Sequence, residues 1–197
     1  PEVIPTLTYE NLVNFHKEHY HPSNAYFFTY GNIDIHSLQN EIQENVLTKF
    51  SPRKQAIEVK ESQYFSQPIY KSKTYKPLSN DNENHHVLVS WLLGSSLDPV
   101  DKMEAKLIES ILLDNSASPL SKALEVTKLG KVPSALTSFN TYKKQMYFVA
   151  GLEGVAKNKE KEVEELIVNV FKSLVDEGIS RDIVDASLHQ IEIRLKK

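Results

Sequence analysis

Cysteine is missing altogether from the 197 residues. Its absence removes disulfides, cysteine-based zinc sites and thiol nucleophiles, and it fits a reducing compartment such as the cytoplasm or an organelle interior. No apolar stretch approaches the roughly 20 residues that a membrane-spanning helix needs, and no basic-then-apolar leader opens the sequence, so no membrane partner is expected. Charge of one sign is lacking too. With 23 basic against 26 acidic residues the net charge is −3, and no dense Lys/Arg run offers a footing for a phosphate backbone, so no nucleic-acid partner is expected. The G-x-G-x-x-G and G-x-x-x-x-G-K spacings of phosphate loops are absent, which leaves Gly151-Leu152-Glu153-Gly154 as a glycine pair following a strand. Ser90, Ser118 and Ser134 lack the glycine-flanked elbow of a hydrolase nucleophile and read as surface or capping residues.

What is present points to a globular chain. Hydrophobic residues make up 40% of it, enough for the core of one large domain. It starts at Pro1 and stops at Lys196-Lys197 inside the amphipathic pattern Val184, Leu188, Ile191, Leu195, from which we expect a piece of a longer polypeptide.

Thr8 is placed to cap a helix running to about Tyr20, which Pro22 ends. Ala25 to Tyr30 has the aromatic content of a short strand, closed by Gly31. Asp34 caps a second helix with Ile35, Leu38, Ile42 and Val46 at helical spacing and a limit at Pro52. One strand is expected near Pro68 to Tyr75, and Ser79 to Asn84 reads as a solvated loop. His86 to Leu93 is nearly continuously apolar, the pattern of a central strand covered on both faces. Asp98-Pro99 opens a helix with Val100, Met103, Leu107, Ile108, Ile111 and Leu112 on one face. A shorter helix spans about Pro119 to Val126, with Gly130 as its stop. Val132 to Phe139 and Gln145 to Leu152 form a hairpin around Asn140 to Lys144. Asn158 opens the longest helix, spaced by threes and fours from Val163 to Val175 and stopped by Gly178, and Ser180 caps the last one. This order predicts an α+β two-layer sandwich, a mainly antiparallel sheet covered by helices.

The string His16-Lys17-Glu18-His19-Tyr20-His21 raises the question of metal binding. It falls one residue short of the inverted zinc motif H-x-x-E-H, and the missing residue turns the second histidine by about 100°. His16 and His19 follow Leu12 at helical spacing, which places them on the packing face of their helix. His85 and His86 point to opposite sides of a strand and cannot grip one ion together. No metal is expected in this segment.

Several strings together resemble the pitrilysin and insulinase superfamily of inverted zinc peptidases. Tyr20-His21-Pro22-Ser23-Asn24 followed by Gly31-Asn32-Ile33-Asp34 is similar to that family's junction between one structural unit and the next. The branch containing presequence protease and falcilysin is suggested by Pro1 to Tyr9, Phe15-His16, Ser118-Pro119-Leu120, Lys122-Ala123-Leu124, Leu129-Gly130 and Phe148 to Gly154. Lys128 and Ser138-Phe139 depart from that branch's usual glycine and Gly-Tyr.

The resemblance implies a LuxS/MPP-like unit, the second and non-catalytic one of the N-terminal half. Residues 1–20 are then a linker and connecting helix from a preceding unit, 21–180 the non-catalytic domain, and 181–197 the start of a further helix. Zinc and the H-x-x-E-H site belong to another segment of a metalloendopeptidase that degrades unfolded peptides, so this segment is expected to be inactive alone. Its expected partners are the sister units of the same polypeptide and the peptide substrate. Ser134, Ala135, Leu136, Thr137 and Ser138 are the expected substrate-binding residues, offering a strand edge to an extended peptide. A different class, an inactive homologue serving as a structural or interaction subunit, has the same sequence features.

Overall fold

A computed structural model describes residues 2–54, 57–76 and 84–196. The chain divides into two compact units, Pro1–Lys60 and Glu61–Lys197. Most of the expected loop from Ser79 to Asn84 lies outside the described residues.

The first unit holds helices α1 (Tyr9–His19) and α2 (Ile35–Asn45). Thr8 and Asn11 form a capping box, each side chain accepting the other's backbone N–H at 3.2 and 2.9 Å, which satisfies two amides that a helix start leaves open. The Tyr20 to Asn24 string ends α1 by hydrogen bonding. Asn24 donates to His19 O at 3.1 Å and accepts from the Ile57 N–H at 3.2 Å. Arg53 donates to Lys17 O at 2.7 Å and also to Glu18 O, so a guanidinium covers carbonyls at the negative end of the helix. Gly31, with φ at +139°, turns the chain toward Asp34, which accepts from the His36 and Ser37 amides at the start of α2.

Two expectations fail in this unit. Ala25 to Tyr30 belongs to no strand among the described residues, and Tyr26, Phe28 and Tyr30 stand almost wholly in solvent. Aromatic residues favour extended backbone, but a strand needs a neighbour with which to exchange hydrogen bonds. Nor is the histidine face of α1 packed away. Neither α1 nor α2 contains a buried residue, and His16 is exposed, stacked on Tyr20 at 4.8 Å.

The second unit is an α+β sandwich. Strands β1 (His85–Ser95), β2 (Val132–Pro133), β3 (Ser138–Asn140) and β4 (Gln145–Val155) form an antiparallel sheet. β4 lies at its centre, with β1 on one side and β2 and β3 on the other. Helices α3 (Pro99–Leu113), α4 (Pro119–Val126), α5 (Glu160–Glu177) and α6 (Arg181–Lys196) complete the unit. The core joins Leu112, Leu120, Leu124, Val163 and Ile167 of the helices to Phe148, Ala150 and Leu152 of β4. Val87, Val89 and Trp91 stand directly across from those β4 residues and pack on the same cluster.

Because side chains alternate along a strand, the opposite face carries the rows Leu88–Gly151, Ser90–Val149–Ser138 and Leu92–Tyr147–Asn140. None of these belongs to the buried cluster. β1 is therefore an outer strand with one open face, and Leu88 is 42% exposed. A continuous apolar run shows how much apolar surface a strand carries, and its neighbours decide how much of it is covered. Pro68 to Tyr75 is likewise no strand. It reaches the sandwich through tyrosines: Tyr70 donates to Glu164 at 3.2 Å, and the Tyr75 ring meets His86 edge-on at 5.4 Å.

Helix starts agree closely with the sequence. Asp98 accepts from the Val100 and Asp101 amides at 2.8 and 3.2 Å, with Pro99 at the first helical position. Gly130 does not stop α4, which ends at Val126. A Cβ on Gly130 would stand 2.9 Å from the Leu152 Cβ, so this glycine allows close approach to β4 instead. Asn158 precedes α5 in a left-handed conformation, φ +66°.

Candidate functional site

The five expected contact residues do not lie in one strand. Between β2 and β3 the chain makes a turn at 134–137, and only Ser138 is in a strand. The turn is tied down at every amide. Ser134 N–H donates to Gly151 O at 2.9 Å, Ala135 N–H to Glu153 Oε1 at 3.1 Å, Leu136 N–H to Ser134 Oγ at 3.3 Å and Thr137 N–H to Ser134 O at 3.0 Å. The buried Ser134 hydroxyl also donates to Glu153 Oε1 at 3.1 Å, and Thr137 Oγ1 accepts from the Gly151 N–H at 3.2 Å.

Strand addition pairs a guest with free N–H and C=O groups in alternation. Here the donors of 134–137 are taken, and the Phe139 N–H donates to Glu109 Oε1 at 3.3 Å. What this turn leaves in solvent is the side chains of Ala135 and Leu136. Ser138 sits in the open-face row with Val149 and Ser90.

Sequence reasoning missed Glu153, which organises this turn and lies 3.9 Å from His86 Nδ1. The β1–β4 register places His86 opposite Glu153. Gly154, at φ +69°, comes directly after it, and a glycine in that conformation next to an acidic residue is the one local sign of an irregular edge.

Beside the turn lies a cavity of about 460 Å³ between α3, α6 and Thr137. In its wall Arg194 Nη2 donates to both oxygens of Asp114, at 3.1 and 3.2 Å, and the Ser110 hydroxyl donates to Asp114 at 2.9 Å. Glu109 faces the same space. Burial raises its pKa above the usual carboxylate range and Asp114 adds to this, against the Phe139 N–H, Arg194 and Lys106, which lower it.

The histidine string gathers no metal ligands. His19 Nδ1–H donates to Phe15 O at 3.0 Å, its ring stacked on Phe15, and His21 Nδ1 accepts the Ser23 N–H at 3.1 Å. Among the described residues no three His, Asp or Glu side chains stand together as a metal would require. These residues do not fit a zinc site, for which three or four converging donors are needed. No helix of the described residues is long and apolar enough to cross a membrane.

The chain belongs to the peptidase M16 inactive domain family, whose model matches residues 6–191. Over its whole length it is 36% identical to the mitochondrial presequence protease of Mus musculus, of which it covers 19%. It is 34% identical to presequence protease 1, chloroplastic/mitochondrial, of Arabidopsis thaliana and 32% identical to protein HypA of Clostridium perfringens, covering 18% and 20% of them. The chain thus spans about a fifth of the length of these curated relatives.

Proposed function

We propose that this chain is a non-catalytic wall of a peptidase chamber that takes unfolded peptides, while another segment of the same polypeptide carries zinc and the H-x-x-E-H site. The observation that carries this reading is the one-sided sheet. Its helix-packed face carries the core, and its other face presents Leu88, Ser90, Leu92, Tyr147 and Val149 in register. Apolar and hydroxyl groups on a flat, pleated surface suit peptides of varied sequence. Ser134, Ala135, Leu136, Thr137 and Ser138 form the rim of that face and meet the peptide through side chains and carbonyls. Residues 1–20 connect to a preceding unit, 21–180 form the wall, and 181–197 begin a further helix.

Sister units are the proposed partners of the first unit, in which no described residue is buried. An aromatic side chain left in water forgoes about 1.5–3 kcal/mol of burial, and Tyr26, Phe28 and Tyr30 forgo it together. The names of the presequence proteases support an organelle interior as the compartment.

The test is cleavage of a long unstructured peptide by the intact polypeptide carrying Leu88→Asp or Val149→Asp. A fall of about tenfold in kcat/KM with unchanged zinc content is the expected result. Wild-type cleavage by both variants would dismiss the wall. An intact polypeptide that neither binds zinc nor cleaves, with or without added metal, would favour the structural-subunit alternative.

A further inference from the structure

The cavity between α3 and α6 has a composition that the wall reading does not use. Lys106, Glu109 and Ser110 all line it from α3, at positions i, i+3 and i+4 of one helix, which share a face. Lys106-Leu107-Ile108-Glu109-Ser110 therefore has the spacing of H-x-x-E-H, with the glutamate kept and the two imidazoles replaced by an ammonium and a hydroxyl. A lysine ammonium has no lone pair for a metal, and Arg194 adds a second positive charge. This set lacks the converging lone pairs that a metal needs and instead offers hydrogen bonds.

Two of those groups are already committed. Arg194 is held by both oxygens of Asp114, and Ser110 donates to the same carboxylate, so they form a fixed wall. Two are available. Lys106 makes no ion pair among the described residues, and Glu109 spends one oxygen on the Phe139 N–H and keeps the other. Leu113 and Ile191 supply the apolar lining. The N–H and C=O of one extended residue project to the same side, so a single stretch of main chain brings an acceptor for an ammonium and a donor for a carboxylate.

We propose that this cavity is a peptide-anchoring site: the Lys106 ammonium holds a main-chain carbonyl oxygen, Glu109 accepts the N–H of the same residue, and Leu113 and Ile191 receive its side chain, without cleavage. The proposal rests on the chain's handling unfolded peptides. Its volume, about 460 Å³, lies within the range of small-ligand pockets. Thr137 lines it as well, which joins it to the rim at 134–138 and lets one extended peptide touch both.

The probe is a dye-labelled unstructured peptide of about 20 residues, its binding to the 197-residue chain monitored by fluorescence anisotropy. Lys106→Met and Glu109→Gln are each expected to weaken binding about tenfold, the effect of losing one charge-assisted hydrogen bond. Lys106→Arg keeps the cation and is expected to bind within about threefold of wild type. Glu109→Gln still accepts from Phe139, so its melting temperature separates lost binding from lost folding. Unchanged binding in Lys106→Met and Glu109→Gln alongside lost binding in Val149→Asp would overturn the anchoring site and leave the wall standing. Absence of binding by the wild-type chain would overturn the anchoring site too, and the cleavage test with the intact polypeptide would then judge the wall by itself.

Discussion

Glu153 holds the 134–137 turn by two hydrogen bonds and faces His86 across the strand pair. Glu153→Ala leaves the buried Ser134 hydroxyl without its acceptor, which costs about 1–3 kcal/mol. Glu153→Gln keeps the acceptor oxygen and is expected to lose far less; urea unfolding of the two variants checks the difference. Gly151 is fixed by contact rather than by φ. A Cβ there would stand 2.0 Å from Val87 O and 2.8 Å from Leu88 Cδ2, in the middle of the β1–β4 ladder. Gly151→Ala is expected to cost roughly 3 kcal/mol, seen as a lower urea midpoint. Glu109 gives a pH signature. Its folded pKa is raised, chiefly by burial, so the folded state holds its proton more tightly than the unfolded chain does. The resulting cost to stability is absent below the unfolded value near 4.5 and complete above the folded pKa. Glu109→Gln should therefore melt higher than wild type at neutral pH, by an amount that vanishes as the pH falls to about 4.

Among the elements, α1 depends on residues downstream of it more than on its own sequence. Its last carbonyls are taken by Arg53 and Asn24, residues separated from each other by α2. Arg53→Ala is expected to destabilise the end of α1 by about 1 kcal/mol, read as faster amide exchange in its final turn. His21 shares this junction. Desolvation lowers its pKa below 6.5, and the nearby Arg53 charge adds to this. A depressed histidine pKa contributes stability that is present above 6.5 and lost as the pH falls below it. Protonation also removes the Nδ1 lone pair that accepts the Ser23 N–H, so the protection factors of amides in the same turn, corrected for intrinsic exchange, should fall on acidification through that window. The β2–β3 segment shows why composition alone points to a single strand there. Val132, Thr137 and Phe139 favour extended backbone, but the Glu153 carboxylate takes the Ala135 N–H and the Ser134 hydroxyl and holds 134–137 in a turn.

The whole molecule joins two pieces of unequal self-sufficiency. Glu61–Lys197 has a buried cluster of its own, whereas the described residues of Pro1–Lys60 include none that is buried. Burial supplies most of the driving force for folding. A fragment of residues 61–197 should accordingly unfold cooperatively in urea, and a fragment of 1–60 should show no cooperative transition. A cooperative transition in the latter would mean that its exposed aromatics are stabilised without a sister unit, and the proposed partnership would lose its support.

Local chemistry was legible directly. Asp98-Pro99, Ser118-Pro119, the threes and fours from Val163 to Val175 and the Gly178 stop each rest on interactions within a few residues, so the sequence by itself determined the helices, the α+β class and the resemblance to inverted zinc peptidases. The five expected contact residues came from the resemblance, but the bonding of their turn did not, because Glu153 reaches Ala135 from 18 residues away. Tertiary structure alone decided that β1 lies at the side of the sheet with an open face, that the Ala25 to Tyr30 aromatics lack a ladder, and that Lys106, Glu109 and Arg194 share a cavity. Each of these depends on which distant segment supplies the neighbour. A hydrogen-bonding group or an apolar face specifies what it needs, and only the folded chain specifies what it gets.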